Sequence, residues 1–391
     1  MTIGSQPSGL TADVDQRLAL ISRGAEEIMT RDELRKLLAG GQPLKHYIGF
    51  EISGRIHLGT GLACMAKVKD LVDAGVDCTV FLADWHTWIN DKLGGDREVI
   101  RRIARDYFEE GLRASFSALG GDPSRLQFVL ASDLYASHGR YWETVIEVSK
   151  NTTLSRMRRS ITILGRKEGD TVDFAKLIYP AMQVADIFAL GVHIAHAGMD
   201  QRKAHVIARD TALKLTIAPL CDAEGRRIKP IALHHHLLLG LSKPPVWPPP
   251  EAELQDFWAS MKMSKSDPSS AVFVDDEPDD IVRKVRKAFC PPAEVQFNPM
   301  LDWAESLVFR EAGSALTMPA GREGGSVTFD SYEDLAEAYA AGRVHPADLK
   351  TGIAEWLIAK LEPVRRHFNE PGPRAAREEV TTLLAAASGS R

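Results

Sequence analysis

The sequence predicts an α/β protein, a doubly wound parallel sheet followed by an all-helical C-terminal domain. Three observations carry that prediction. Short apolar runs at Tyr47 to Phe50, Cys78 to Ala83 and Leu126 to Ala131 alternate with longer amphipathic runs, as strands do when crossover helices join them into a parallel sheet. The first of these strands breaks at glycines and passes directly into a helix, in the stretch from His46 to Thr60. From about residue 276 helical patterns dominate, continuing to Phe368.

Taken in order, residues 1–12 are rich in Ser, Gly and Pro and are expected to be disordered. Two helices should follow, the second opening at Thr30, whose hydroxyl can cap it while Glu33 reaches back. The Tyr47 strand then leads into a helix reaching Asp73, and the Cys78 strand into a long helix from about Asp96 to Leu119. Helices at about Asp173 to Leu190 and Met199 to Leu213 flank a short strand near His193 to His196. Ligands of such sheets sit beyond the carboxyl ends of the strands, which is where Gly49 and His86 fall. The proline-rich run from Ser242 to Pro250 excludes helix and central strand, so 237–260 reads as an insertion or connector. We therefore expect a catalytic domain over 13–275, a helical domain over 276–368 and a C-terminal tail over 369–391, with one weak helix in the tail.

A chain of 391 residues, 44% of them hydrophobic, supplies core for two or three domains. No segment approaches the ~20 uninterrupted apolar residues that cross a bilayer, and the start lacks a basic and apolar leader. A cytoplasmic protein with no membrane partner is expected. Cys64, Cys78, Cys221 and Cys290 are scattered without metal-ligand spacing, which predicts reduced thiols. The net charge of −5 does not itself point to nucleic acid. Basic clusters at Arg156, Arg158, Arg159, Arg166 and Lys167, and at Arg283, Lys284, Arg286 and Lys287, suit either RNA or a solvated helix face. His234-His235-His236 is not read as a metal site, because adjacent side chains on extended backbone point oppositely; no metal site is expected.

The chemistry is concentrated in two stretches. A glycine turn at a helix start, around His57-Leu58-Gly59-Thr60, exposes backbone N–H groups that favour a phosphate. Lys262-Met263-Ser264-Lys265-Ser266 adds two ammonium groups and two hydroxyls on a loop. Together they resemble the paired signatures of class I aminoacyl-tRNA synthetases. Four further phrases narrow the resemblance to tyrosyl-tRNA synthetases of the archaeal and eukaryotic type: Tyr47 to Glu51, Leu82 to His86, Ile178 to Asp186, and Gly198 to Lys203. They run in family order and the resemblance covers roughly residues 25–368.

The resemblance implies a Rossmann-like catalytic domain, a helical anticodon-binding domain and a homodimer. It implies activation of tyrosine by ATP, with Mg²⁺ carried by the nucleotide, followed by transfer to tRNA(Tyr). His57, Gly49, Gly59, Thr60, Lys262, Met263, Ser264, Lys265 and Ser266 would meet ATP, with His57, Thr60, Lys262 and Lys265 stabilising the charge that moves onto pyrophosphate. Thr60 departs from the family, which usually has a second histidine there; its hydroxyl can still donate. Tyr179, Gln183 and Gln201 would hold the ammonium side of tyrosine, Tyr47 and Asp186 its phenol, and Gly49, Glu51 and His86 would line the same pocket. Tyr179, Gln183 and Asp186 are spaced by four and three, so one helix puts them on one face. Arg159 and Arg202 match contacts to the acceptor stem, and His345 with Asp348 the anticodon-reading element, a helix N-cap being the other reading of Asp348. Glu323 stands where one relative has an aromatic. Two alternatives remain beside this reading, a tryptophanyl-tRNA synthetase and a synthetase-like RNA-binding or regulatory protein. Tyr47 with Asp186 favours a phenol, and the intact lysines and pocket favour catalysis.

Overall fold

Strand β2 (Lys45–Phe50) is the centre of the molecule. In the computed structural model, which describes residues 8–166, 170–244, 246–248, 261–263, 270–321 and 324–389, it lies in a six-stranded sheet. The other strands are β1 (Ala25–Met29), β3 (Asp77–Leu82), β4 (Leu126–Leu130), β5 (Ile194–Gly198) and β6 (Ile231–His235), in the order β1-β6-β5-β2-β3-β4. Strands β2 to β6 are all parallel. The chain builds outward from β2 to β3 and β4, then crosses back to place β5 and β6 on the other side. The order thus reverses between β2 and β5, and such a reversal opens a crevice at the carboxyl ends of the two strands.

Period-two alternation divides the interior into two cores. Ile48, Phe50, Val80 and Leu82 join one cluster with the helices after β2 and β3, whereas Tyr47, Phe81 and Ala195 join the other, beneath the Phe174–Ala189 and Arg202–Thr211 helices. Tyr47 therefore faces the side opposite to its neighbours His46 and Ile48.

The sheet is not wholly parallel, as expected from the strand and helix alternation, because β1 adds an antiparallel edge against β6. It lies between the two predicted N-terminal helices, Ser8–Ser22 and Arg31–Ala39; the first begins inside the stretch expected to be disordered. The capping box is present: Glu33 N donates to Thr30 Oγ1 at 3.3 Å, and Thr30 N to Glu33 Oε2 at 3.3 Å.

The C-terminal region is mainly helical, but the expectation of an all-helical domain is corrected by a hairpin of β7 (Leu316–Pro319) and β8 (Ser326–Phe329). Gly324 and Gly325 sit in the hairpin connection with φ of 75° and 92°, a backbone that glycine adopts without strain. Arg322 and Glu323 lie outside the described residues. Nor is there a break in packing at 276. Trp303, Leu361, Val364 and Phe368 belong to the same hydrophobic cluster as Ile48 and Leu82. Gly111 makes room for the join, since a Cβ there would stand 2.6 Å from Ile56 Cδ1 and 3.1 Å from the Phe368 ring. Residues expected to form a tail with one weak helix build the Pro371–Gly389 helix, which packs back through buried Ala376 and Val380 and an Arg102–Glu379 ion pair.

Candidate active site

Beyond β2 the chain turns through Glu51 to Ile56 and is stitched to the segment that follows the lysine loop. Leu58 N donates to Val272 O at 3.0 Å and Val274 N to Ile56 O at 2.9 Å. A π-helical turn (Gly59–Cys64) then starts the Met65–Asp73 helix. Thr60 N donates to His57 Nδ1 at 3.3 Å, and the Thr60 hydroxyl lies 3.5 Å from Nε2. A Cβ on Gly59 would stand 3.0 Å from His57 Cε1, so this glycine makes room for the imidazole itself as well as baring its backbone. Gly61, which sequence reasoning passed over, is the tighter position: its Cβ would be 2.3 Å from Val274 Cγ1.

Lys262 reaches the carboxyl end of β5, where its Nζ lies 2.8 Å from Asp200 Oδ2. Asp200 stands in the Met199–Gln201 turn directly after that strand. Met263 is buried, and its N–H donates to Leu238 O at 2.8 Å. Ser264, Lys265 and Ser266 lie outside the described residues, as does the 249–260 part of the expected insertion. The base of the loop is held from the C-terminal region. Asp302 Oδ2 accepts from Leu239 N at 2.8 Å, and Trp303 Nε1 donates to Leu239 O at 2.9 Å. Leu239 itself pairs with Lys262.

On the other side of the crevice, the Phe174–Ala189 helix presents Tyr179, Gln183 and Asp186 together. Asp186 is buried, and its Oδ1 accepts from Tyr135 at 3.0 Å and Tyr141 at 2.9 Å. His86 Nε2 is 3.7 Å from Oδ2. Burial pushes the Asp186 carboxyl up to about 8, against the lowering effect of the Tyr141 and Tyr135 hydrogen bonds. Burial also takes His86 down to about 3, which keeps it neutral. The Tyr179 hydroxyl donates to Glu51 Oε1 at 3.3 Å, which also accepts from Asn90 Nδ2 at 2.9 Å. Gln183 Nε2 donates to Gln201 Oε1 at 3.3 Å, and Gln201 Nε2 to Ile163 O at 3.1 Å. Tyr47 is buried in β2, with its ring edge-on to Phe81 at 6.2 Å. Desolvation raises its phenol, with the Asp186 charge adding to the effect. A Cβ on Gly49 would meet only ordinary contacts, Tyr47 at 3.6 Å and Phe81 at 3.7 Å; the bare position thus opens space toward the crevice.

Four residues of this arrangement were given no role in the sequence reading: Tyr135, Tyr141, Asn90 and Asp200. Asp200 lay inside a quoted phrase, Gly198 to Lys203. The other three come from separate elements, and no spacing rule joins them to the helix they serve.

The remaining predicted residues lie elsewhere. Arg202 forks onto Glu27, with bonds of 2.8 and 2.9 Å. Arg159 is exposed, its Nη1 donating to Ser155 Oγ at 2.9 Å. The cap of the Pro346–Phe368 helix is His345, whose Nδ1 accepts from Ala347 N at 3.1 Å; Asp348 is therefore not the N-cap and stands half-buried in the first turn. The three adjacent histidines go to three places. His234 bonds His205 at 3.0 Å and Glu27 at 2.9 Å, His235 bonds His196 at 2.8 Å, and His236 bonds Asp302 at 2.6 Å. His196 continues the row to His46 at 3.1 Å, and His235 meets Cys64 Sγ at 3.3 Å.

A glycine turn carrying a histidine, a lysine delivered to the same end of the sheet, and a buried carboxylate fenced by tyrosines suit a nucleotide beside a small polar-tipped ligand. Comparison with known proteins agrees. The family described as tRNA synthetases class I (W and Y) matches residues 39–362. The tyrosine–tRNA ligase of Thermococcus sibiricus is 57% identical over 362 residues, spanning 92% of this chain and 96% of its own. The crystal structure of tyrosyl-tRNA synthetase from Pyrococcus horikoshii, complexed with L-tyrosine, matches with a TM-score of 0.90 at 54% identity, covering 93% of this chain and 99% of that one. Tryptophanyl-tRNA synthetase from Aeropyrum pernix, at 18% identity and a TM-score of 0.66 over 96% of this chain and 91% of its own, shares the fold.

Proposed function

The chain belongs to the class I tRNA synthetases for tryptophan and tyrosine, and on that footing we propose that it is a tyrosine–tRNA ligase. The tyrosine carboxylate attacks the α-phosphorus of ATP, the bond to the β-phosphate oxygen breaks, and pyrophosphate leaves. A terminal ribose hydroxyl of tRNA(Tyr) then takes the tyrosyl group from the adenylate and AMP departs. Such a displacement calls for placement and charge neutralisation more than for a proton-transfer group. The observation that carries the tyrosine reading is Asp186, a buried acceptor ringed by hydroxyls where an apolar ring would otherwise be expected to end.

Within that reading, His57, Thr60 and the backbone around Gly59 receive the phosphates, and Lys262 with Lys265 meets the charge passing to pyrophosphate. Mg²⁺ enters with ATP as part of the substrate, held by phosphate oxygens and water. Tyr179, Gln183, Gln201 and Glu51 take the ammonium side of tyrosine; Tyr47 and Asp186 take its hydroxyl, with His86 and Gly49 beside them. Arg159 and Arg202 face the acceptor stem, which requires Arg202 to leave Glu27, and the 276–368 region reads the anticodon through His345 and Asp348. A homodimer is supported by the large apolar side chains left exposed at Trp142, Ile146, Leu154 and Phe174, the last by 74%.

Pyrophosphate exchange measured with each of the twenty amino acids decides the matter. Tyrosine should support exchange and tryptophan should not. Exchange with tryptophan alone would restore the tryptophan reading, and exchange with none would leave an RNA-binding protein.

A further inference from the structure

Asp186 is held from behind. A carboxylate oxygen has two lone-pair positions, and the hydroxyls of Tyr135 at 3.0 Å and Tyr141 at 2.9 Å fill both on Oδ1. The two rings are stacked 3.9 Å apart at 21°, although they arise from different helices, Ala131–Ser137 and Tyr141–Lys150. Trp85 packs edge-on against Tyr135 at 5.7 Å, and both tyrosines are buried. Neither hydroxyl can swing away without opening the core.

We propose that Tyr135 and Tyr141 are positioning residues for amino-acid selection: by saturating Oδ1 they leave Oδ2 as the oxygen that Asp186 offers to the hydroxyl of the substrate. The proposal rests on Asp186 being the group that meets that hydroxyl. His86 extends it. The Tyr135 proton is committed to Asp186, so His86 Nδ1, 3.5 Å from the Tyr135 oxygen, gives its own proton there. Its Nε2 is then a bare acceptor, buried without a hydrogen-bond partner and 3.7 Å from Oδ2. One substrate hydroxyl can bond both Oδ2 and Nε2, whereas a ring edge without one leaves both unmatched.

The groups facing Asp186 are Tyr135 and Tyr141 from their two helices, His86 and Asp84 from the Asp84–Ile89 helix, Tyr47 from β2, and Tyr179 on its own helix. Among these described neighbours none is a cation at neutral pH, because burial keeps His86 uncharged. The two tyrosine hydroxyls are therefore what draws the carboxyl down against the effect of its burial.

The test is Tyr135→Phe and Tyr141→Phe, each assayed by pyrophosphate exchange with tyrosine and with phenylalanine across pH, beside the wild type and Asp186→Ala. The ratio of kcat/KM for the two amino acids is independent of how much enzyme is folded. Each variant should lower that ratio about tenfold and move the acid limb of tyrosine use up by about one pH unit. A purely structural role would scale both substrates together and leave the limb in place. An unchanged ratio and limb in both variants, with Asp186→Ala still losing selectivity, overturns the positioning role alone. An unchanged ratio in Asp186→Ala overturns the reading of Asp186 beneath it.

Discussion

Asp186 is costly where it stands. Its ordinary carboxyl titrates near 3.8 and its folded one near 8, so between those values the folded chain binds a proton that the unfolded chain does not. Stability from this group is complete below about 3.8 and is lost as pH rises toward 8. Asp186→Asn should therefore raise the melting temperature, with a gain that grows from pH 5 to pH 8, while tyrosine exchange collapses. A melting temperature unchanged at pH 8 would show that Asp186 is not strained by its burial. The sequence disclosed Asp186 through the family resemblance of the Ile178 to Asp186 phrase, its spacing from Tyr179 and Gln183 adding only that one helix face carries all three. It could not disclose Tyr135 and Tyr141, because their contact with Asp186 exists only once three helices pack. The row His46, His196, His235 and Cys64 was equally hidden. Each neutral imidazole has one N–H, and His46 Nδ1 is buried without a hydrogen-bond partner; a bare acceptor there is cheaper than a bare donor, so the N–H groups run from His46 toward Cys64.

At the level of elements, strands and helices were legible wherever the apolar period was unmixed, as in β2, β3, β4 and the Phe174–Ala189 helix. The exceptions have physical causes. Strand β1, Ala25–Met29, is a half-exposed edge with two glutamates, and carries little apolar alternation. Strand β6 ends in His234 and His235, which are satisfied by His205, Glu27 and His196 in the interior, so its polar letters conceal full burial. The β7 and β8 hairpin is too short for periodicity to distinguish it. The π-helical turn at Gly59–Cys64 also escaped, although its glycine letters were plain; what they serve is a tertiary contact. Gly61→Ala would place a methyl 2.3 Å from Val274 Cγ1 and 3.0 Å from Ile56 Cγ2, an overpacking that costs about 1–3 kcal/mol. Because Val274 follows the lysine loop, the same change should slow adenylate formation more than it weakens tyrosine binding. Thermal melting and single-turnover kinetics check both, and wild-type values in each would show that the contact yields freely.

Across the whole molecule, the C-terminal region holds the base of the lysine loop. Besides Asp302 and Trp303, His236 joins the two regions: burial would lower its imidazole, but Asp302 at 2.6 Å and Glu26 at 3.7 Å raise it to about 10. That pairing contributes fully below about 6.5 and fades as pH climbs toward 10. Asp302→Ala should thus reduce the rate of adenylate formation with little change in tyrosine affinity, and its effect on melting should shrink above pH 9. Equal effects at pH 6 and pH 10 would show that the His236 pair contributes nothing. The continuous core that carries Phe368 against Ile56 and Gly111 has a further consequence. The two halves cannot melt separately, so calorimetry should record one heat-absorption peak whose calorimetric and van't Hoff enthalpies agree. A chain cut after residue 275 should fail to refold alone. The C-terminal region, proposed to read the anticodon, is then no detachable module: a lineage that exchanged or discarded it would have to rebuild the interior of the catalyst at the same time.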